Sequence, residues 1–265
     1  MIKHEKIQGI PSFEEYNISE KQSDYCLLIP IINEGDRIKN ELQRAKNHNI
    51  NSLVDIIICD GGSTDNSTDI DLLESLGVNT LLVKTSSGKQ GAQLRMGIYT
   101  ALNRKYKGIL TIDGNNKDSI ESVPLFIEKL EQGYDLVQGS RYVKGGKGIN
   151  TPKSRHFAVK FIHAPIISLT AKQRFTDTTS AFRAYSYKYL NHEKTKPLRD
   201  IFAGYELLAY LSVRFKALGL KACEVPVTRR YPDTGKTPTK ISPIKGNLQL
   251  LKVLFTNLFG GYNPK

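Results

Sequence analysis

Apolar residues in this chain come in short solid runs, and each run stops at a polar cluster. Tyr25 to Ile32 reads Tyr-Cys-Leu-Leu-Ile-Pro-Ile-Ile and stops at Asn33-Glu34-Gly35. Val54 to Cys59 stops at Asp60-Gly61-Gly62-Ser63-Thr64-Asp65-Asn66-Ser67. Thr80 to Val83 leads to Ser86-Ser87-Gly88-Lys89-Gln90-Gly91, and Ile109 to Ile112 to Asp113-Gly114-Asn115-Asn116-Lys117-Asp118. Leu136 to Gly139, ending in Ser140-Arg141-Tyr142, is shorter. Runs of this length bounded by turn residues predict buried strands. The segments between them predict helices over about Asp36 to Asn47, up to Leu76, up to Leu102 (this one amphipathic), and over about Ser119 to Glu131. Alternating strands and helices predict an α/β fold, a doubly wound, mostly parallel sheet with helices on both faces. Every polar cluster then lies at the carboxyl edge of the sheet, where open α/β folds bind ligands.

Outside this stretch the pattern is looser. Residues 1–24 read as a polar lead-in with one or two short helices. From Lys144 onward, Gly145 to Gly148 predicts a flexible turn, and Lys153 to Ala171 mixes cations and apolar residues and is broken by Pro165. Thr176 to Tyr185 is polar with an aromatic tail, Phe202 to Ala217 predicts a helix, and Lys221 to Val227 a strand. Arg229 to Lys240 is a loop rich in Arg, Lys, Pro and Thr. Ile244, Leu248, Leu251, Phe255 and Phe259 fall on one helical face. The expected organisation is a lead-in over 1–24, one domain over 25–243 with halves 25–140 and 141–243, and an amphipathic helix over 244–265.

Composition narrows the setting. With 39% hydrophobic residues in 265, the chain can build a sizeable core. No apolar run approaches the roughly 20 residues of a membrane span. The first residues carry no signal-peptide core, which predicts a cytoplasmic protein. Cys26, Cys59 and Cys223 have no metal spacing and read as reduced core thiols. Residues 1–140 hold 15 Lys and Arg against 20 Asp and Glu, net −5, whereas residues 141–265 hold 23 against 6, net +17. The second half therefore calls for an anionic partner: nucleic acid, an acidic membrane surface or a phosphorylated substrate. The chain has no helix-turn-helix, zinc-finger spacing or aromatic-basic RNA signature, so no nucleic-acid partner is expected.

Asp113 and Asn115 present two oxygens, two residues apart, around a glycine. That spacing suits a divalent cation held against a diphosphate, or equally a turn that closes a strand. Asp60 and Asp65 flank two glycines and two hydroxyls, a pattern that accepts from a base N–H or caps the next helix. Glu34 divides the same way. Gly88-Lys89-Gln90-Gly91 puts a cation and helix-start amides where they suit phosphate, and lacks the Gly-Lys-Ser/Thr ending of a Walker loop.

Pro30-x-x-Asn33-Glu34, Asp60-Gly61-Gly62-Ser63-Thr64-Asp65, Gly88-Lys89-x-Gly91-Ala92 and Asp113-Gly114-Asn115 resemble, in order, the motifs of family 2 inverting glycosyltransferases of the GT-A fold. Gly139-Ser140-Arg141-Tyr142-Val143-x-Gly145-Gly146, Asp177-Thr178-Thr179-Ser180-Ala181-Phe182-Arg183-Ala184-Tyr185 and Glu224-Val225-Pro226-Val227 resemble dolichyl- and polyprenyl-phosphate mannose or glucose synthases. The resemblance covers about residues 25–245. It implies a GDP- or UDP-hexose donor lined by Pro30, Asn33, Glu34, Asp60, Gly62, Lys89, Gln93, Asp113 and Gly114. Mg²⁺ or Mn²⁺ would sit on Asp113 and Asn115, and Asp113, Asn115, Arg141 and Asp177 would form the catalytic group. Arg141, Arg155, Arg183, Arg230 and Lys240 would grip the phosphate of a polyprenyl acceptor. Asp177 is either a base for a hydroxyl acceptor or the partner that fixes Arg183. Arg155 to Leu169 and the C-terminal helix would rest on a membrane surface, giving peripheral attachment at the inner face. The family's Asp-x-Asp is Asp113-Gly114-Asn115 here, which predicts weak metal binding, with Asp118 or Asn116 nearby to assist. Its Asp-Asp-Gly-Ser is Asp60-Gly61-Gly62-Ser63. The alternative within the family is transfer to a sugar hydroxyl in a surface polysaccharide or glycolipid.

Overall fold

A computed structural model describes residues 1–233 and 245–264. The strands are β1 (Ile2–His4), β2 (Phe13–Asn17), β3 (Tyr25–Ile31), β4 (Asp55–Asp60), β5 (Val78–Lys84), β6 (Gly108–Thr111), β7 (Leu136–Ser140), β8 (Lys147–Ile149), β9 (Arg183–Ser186), β10 (Ala222–Pro226) and β11 (Thr228–Arg230). The helices are α1 (Asp36–Asn47), α2 (Ile70–Ser75), α3 (Gln90–Asn103), α4 (Val123–Glu131), α5 (Lys153–Ala158), α6 (Ala164–Ala171), α7 (Tyr187–Leu190), α8 (Glu206–Ala217) and α9 (Lys245–Leu258). Nine strands form one sheet in the order β1-β2-β5-β4-β3-β6-β9-β7-β10, and β8 pairs with β11 in a second, small one. The pairs β5/β4, β4/β3, β3/β6 and β7/β10 are parallel, while β2 and β9 run against their neighbours.

Alternation along the central strands divides the core. Cys26 and Leu28 of β3 pack on the side of α3, α6, α8 and α9, while Leu27, Ile29 and Ile31 pack on the side of α1, α2 and α4. Both faces are covered, which is why these strands read as solid apolar runs. α3 is buried along nearly its whole length rather than on one stripe, so the amphipathic pattern expected for it is absent.

Several expectations change. The first residues form no helix: β1 and β2 extend the sheet through β5. Phe13 and Glu15 of β2 are buried, and the Glu15 carboxylate accepts from His4 Nε2 at 2.8 Å and Arg104 Nη2 at 2.7 Å. Lys147, expected in a flexible turn, begins β8, which pairs in parallel with β11. Pro165 does not break its segment. α5 runs through a π turn (159–163) into α6, with Pro165 in the first turn of α6. The wider winding falls where proline cannot donate to the residue four back. α8 starts four residues later than expected, because 202–205 instead lie on the start of α3, where Ala203 O accepts from Lys89 N at 3.0 Å.

Candidate active site

β6 delivers Asp113 to the carboxyl edge, with Ile112 N still bonded to Leu28 O of β3 at 3.2 Å. The Asp113 side chain is about one-fifth exposed. Its Oδ1 accepts from Gln90 Nε2 at 2.9 Å and its Oδ2 from Arg229 Nη2 at 3.2 Å. Asn115 N donates to Asp113 O at 2.8 Å, and Asn115 Oδ1 accepts from Lys117 N at 3.3 Å. Gly114 faces protein rather than open space, since a Cβ there would lie 2.5 Å from Ile31 and 3.0 Å from Ile29. Packing of the turn on β3 therefore demands this glycine. Glu41, from α1, supports the turn by accepting from Asn116 N at 2.8 Å. Burial pushes its carboxyl well up, with the Asn116 amide pulling the other way. Asp118 is fully buried and ion-paired with Arg229 Nη1, and burial pushes its carboxyl up to about 6 against the pull of Arg229.

The other residues assigned to the donor lie along the same edge, and several are engaged with protein. Asp60 is buried and accepts from Gly62 N at 2.7 Å and Ser63 N at 2.9 Å, so it shapes its own turn. Gly62 is required there by a φ of 96°. Asn33 Oδ1 accepts from Thr64 N at 2.8 Å, joining the β3 and β4 loops, and Glu34 accepts from Arg37 Nε at 2.7 Å. Pro30 is buried next to Cys59 in the β3/β4 ladder. Lys89 is exposed beside the edge, and Ala203 O accepts from Lys89 N at 3.0 Å and from Ala92 N at 3.4 Å at the start of α3. Gln93 is a correction: its buried Nε2 donates to Ile31 O at 2.5 Å and Cys59 O at 2.9 Å, which ties β3 to β4 and leaves no donor for a ligand.

Beside Asp113 lies a largely buried cluster of cations around Tyr231. Arg141, at the end of β7, is buried and holds Asp177 in a bidentate pair, with Nε to Oδ2 at 2.6 Å and Nη2 to Oδ1 at 2.9 Å. Burial pushes the Asp177 carboxyl up, but Arg141 more than offsets it and holds it below the usual carboxylate range. With both oxygens paired, Asp177 is a positioning group for Arg141, not for Arg183. The remaining Arg141 donor, Nη1, reaches the Tyr231 hydroxyl at 3.2 Å, and Arg155 Nη1 reaches it at 3.4 Å. Lys117 Nζ and the Arg229 guanidinium lie 5.7 Å and 5.8 Å from the Tyr231 ring centroid. Burial pushes the Tyr231 phenol up, and Arg229, Arg141 and Arg155 outweigh it and hold the phenol below its ordinary value.

Two arginines of the acceptor set fall elsewhere. Arg183, paired with Thr111 at the end of β6, is fully buried against α8, donating to Ser180 O at 2.9 Å, Thr178 O at 2.9 Å, Leu208 O at 2.5 Å and Ser212 Oγ at 2.7 Å. Every one of its nitrogens is spent on the fold, so it is not a phosphate ligand. Arg230 is exposed, and its neighbour Arg229 takes the inward position on β11. Lys240 lies outside the described residues. The residues that sequence reasoning missed are Gln90, Lys117, Arg229 and Tyr231. Strand alternation through Thr228–Arg230 was the one available signal that Arg229, not Arg230, faces inward.

Among the described residues, no group of three or more His, Cys, Asp or Glu is placed to hold a metal by itself. Asp113 and Asn115 supply one carboxylate and one amide oxygen. This donor set fits a hard divalent cation that takes its remaining oxygens from a diphosphate. The neutral amide and the Arg229 contact both work against tight binding.

Residues 26–197 match the family described as glycosyl transferase family 2. The chain belongs to this family. It is a glycosyltransferase. It is 28% identical over 204 residues to an undecaprenyl-phosphate mannosyltransferase of Micrococcus luteus, covering 76% of this chain and 81% of that protein. It is 28% identical over 231 residues to a polyprenol monophosphomannose synthase of Mycolicibacterium smegmatis, covering 83% of this chain and 82% of that one. Its fold is similar to that of glucosyl-3-phosphoglycerate synthase from Mycobacterium tuberculosis solved with Mn²⁺, UDP-glucose and phosphoglyceric acid. That likeness has a TM-score of 0.64 at 15% identity, covering 91% of this chain and 80% of the other. The GT-A architecture of this glycosyltransferase thus agrees with the sheet order described above.

Proposed function

We propose that this glycosyltransferase moves a hexose of mannose or glucose type from a nucleoside diphosphate sugar to a polyprenyl or dolichyl phosphate, with inversion. The observation that carries the reading is adjacency. Arg229 touches Asp113 on one side and faces the Tyr231 ring on the other, so Asp113 and the cationic cluster share one residue. A donor along the β3, β4 and β6 ends brings its anomeric carbon next to Arg141, Arg155 and Lys117. The acceptor phosphate oxygen attacks that carbon on the face opposite the diphosphate. The C1–O bond breaks, and the nucleoside diphosphate leaves with the electron pair.

A phosphate is already an anion and needs no strong base, which agrees with Asp177 being held by Arg141. The same pairing weighs against the hydroxyl-acceptor alternative, for which Asp177 was the candidate base. Arg155 suits the acceptor because guanidinium donors match phosphate oxygens in pairs, and Arg141 adds positive charge beside it. Asp113 and Asn115 would hold a divalent cation, which would supply positive charge to the departing diphosphate. The relatives named for undecaprenyl-phosphate and polyprenol substrates support a lipid phosphate acceptor. The neighbour solved with Mn²⁺ and UDP-glucose supports a metal-assisted nucleotide-sugar donor.

Membrane contact belongs to the same reading. Phe157 and Phe161 are both 58% exposed with ring centroids 5.0 Å apart, in a segment that also carries Lys153, Arg155 and Lys160. Apolar rings ringed by cations fit an anionic lipid surface. Among the described residues no helix is long and apolar enough to cross a membrane. The test is mass spectrometry of products from GDP- and UDP-hexoses offered with short polyprenyl phosphates. A glycosylated lipid phosphate is expected, and transfer only to sugar hydroxyls would overturn the proposal.

A further inference from the structure

Arg229 is the one buried guanidinium in the site that bridges two carboxylates from different positions of the β6 loop. Its Nη1 pairs with the fully buried Asp118 and its Nη2 lies 3.2 Å from the partly exposed Asp113. The backbone fixes it there. Ser119 N donates to Thr228 O at 2.9 Å, Thr228 N to Ser119 Oγ at 2.9 Å, and Arg230 N to Lys117 O at 2.8 Å. Strand β11 is thus stitched to the Lys117–Ser119 segment on both sides of Arg229, so the guanidinium is built in rather than resting on a surface.

From this geometry we infer that Arg229 is the resident cation of the diphosphate edge and competes with a divalent metal for Asp113 Oδ2. The inference rests on the reading of Asp113 as the carboxylate on the metal side. A metal on Asp113 Oδ2 would place a dication within contact range of a guanidinium already held by Asp118. At contact distance a dication and a guanidinium repel each other even at the effective dielectric of a protein edge. The repulsion is relieved when diphosphate oxygens lie between the two cations. Arg229 then serves the diphosphate while Asp118 keeps hold of its other nitrogen, and Asp113 passes to the metal. The longer, partly exposed contact to Asp113 is the one that can be surrendered, because the buried contact to Asp118 remains. Metal should therefore bind poorly without nucleotide. Nucleotide should retain some affinity without metal, through Arg229.

The test is Mn²⁺ titration of the full chain by calorimetry, without nucleotide, in wild type, Arg229→Gln and Arg229→Lys. UDP and GDP are then titrated in the presence of a chelator. Arg229→Gln should bind Mn²⁺ roughly tenfold more tightly than wild type and lose roughly tenfold in chelator-resistant nucleotide affinity. Arg229→Lys keeps a charge for Asp118 but cannot bridge two carboxylates, so it should show the same change in Mn²⁺ binding at smaller size. It carries the test if Arg229→Gln melts for want of a partner for Asp118. Asp113→Asn separates the two layers of the argument. If Mn²⁺ binding needs Asp113 but is no tighter in the Arg229 variants, the competition is refuted while the site stands. If Mn²⁺ binding ignores Asp113→Asn, the reading of Asp113 fails and this inference falls with it.

Discussion

Arg183 and Arg141 have the same chemistry, are both buried, and do opposite things. Arg183 gives its donors to three backbone carbonyls and Ser212, so it stitches α8 to the 178–180 segment. Arg183→Ala would strand those carbonyls in a dry interior, at a cost of about 2–4 kcal/mol. Urea unfolding should show this loss, while acceptor affinity of the folded fraction stays as in wild type. Arg141 spends Nε and Nη2 on Asp177 and Thr179, and its Nη1 donates to the Tyr231 hydroxyl beside Arg155. Tyr231→Phe removes the hydroxyl that spaces Arg141 from Arg155. It should weaken acceptor use about three- to tenfold at unchanged nucleotide binding, as steady-state kinetics with varied polyprenyl phosphate would report. Asp113→Ala should lower sugar transfer at least about 100-fold with an unchanged melting curve, because its carboxylate faces the edge and not the core. Full turnover by that variant would dismantle the proposed site.

At the scale of elements, α9 leaves much of the apolar stripe read from its sequence exposed. Leu248, Phe255 and Phe259 are 61%, 47% and 82% exposed, whereas Val253 and Leu254 are buried against the α6 and α8 side. Asn257 settles the rotation, its Nδ2 donating to Ala209 O of α8 at 2.8 Å. Leu254→Ala should therefore destabilise the fold by about 2–4 kcal/mol. Phe255→Ser with Phe259→Ser should change stability by less than about 1 kcal/mol and instead weaken vesicle binding. Thermal denaturation beside co-sedimentation with liposomes separates the two effects. The reverse pattern would mean that the outer face, not the inner, is the packed one.

For the whole molecule, the uneven charge of −5 over residues 1–140 and +17 over 141–265 becomes a spatial statement. The acid-rich part supplies Asp60 and Asp113 at the sheet edge, and the basic part supplies Arg141, Arg155, Arg229 and the exposed aromatic segment. If the basic side meets an anionic surface, binding to phosphatidylglycerol vesicles should fall steeply between about 50 and 500 mM salt as the Debye length shrinks. Neutral vesicles should bind weakly throughout. Salt-insensitive binding would point to apolar contact alone. The sequence determined the strands from β3 through β7, the edge on which Asp113 stands and the family, because solid apolar runs and local turn motifs report burial and backbone geometry directly. It did not determine which of two adjacent arginines turns inward, that Gln93 ties two strands together, or that β2 closes the sheet on β5. Nor did it determine which stripe of α9 is covered. Each of those depends on a partner distant in the chain: Asp118 for Arg229, Ile31 and Cys59 for Gln93, β5 for β2 and α8 for α9. A side chain's commitment to fold or to ligand is decided by which acceptors and apolar surfaces the tertiary structure brings against it.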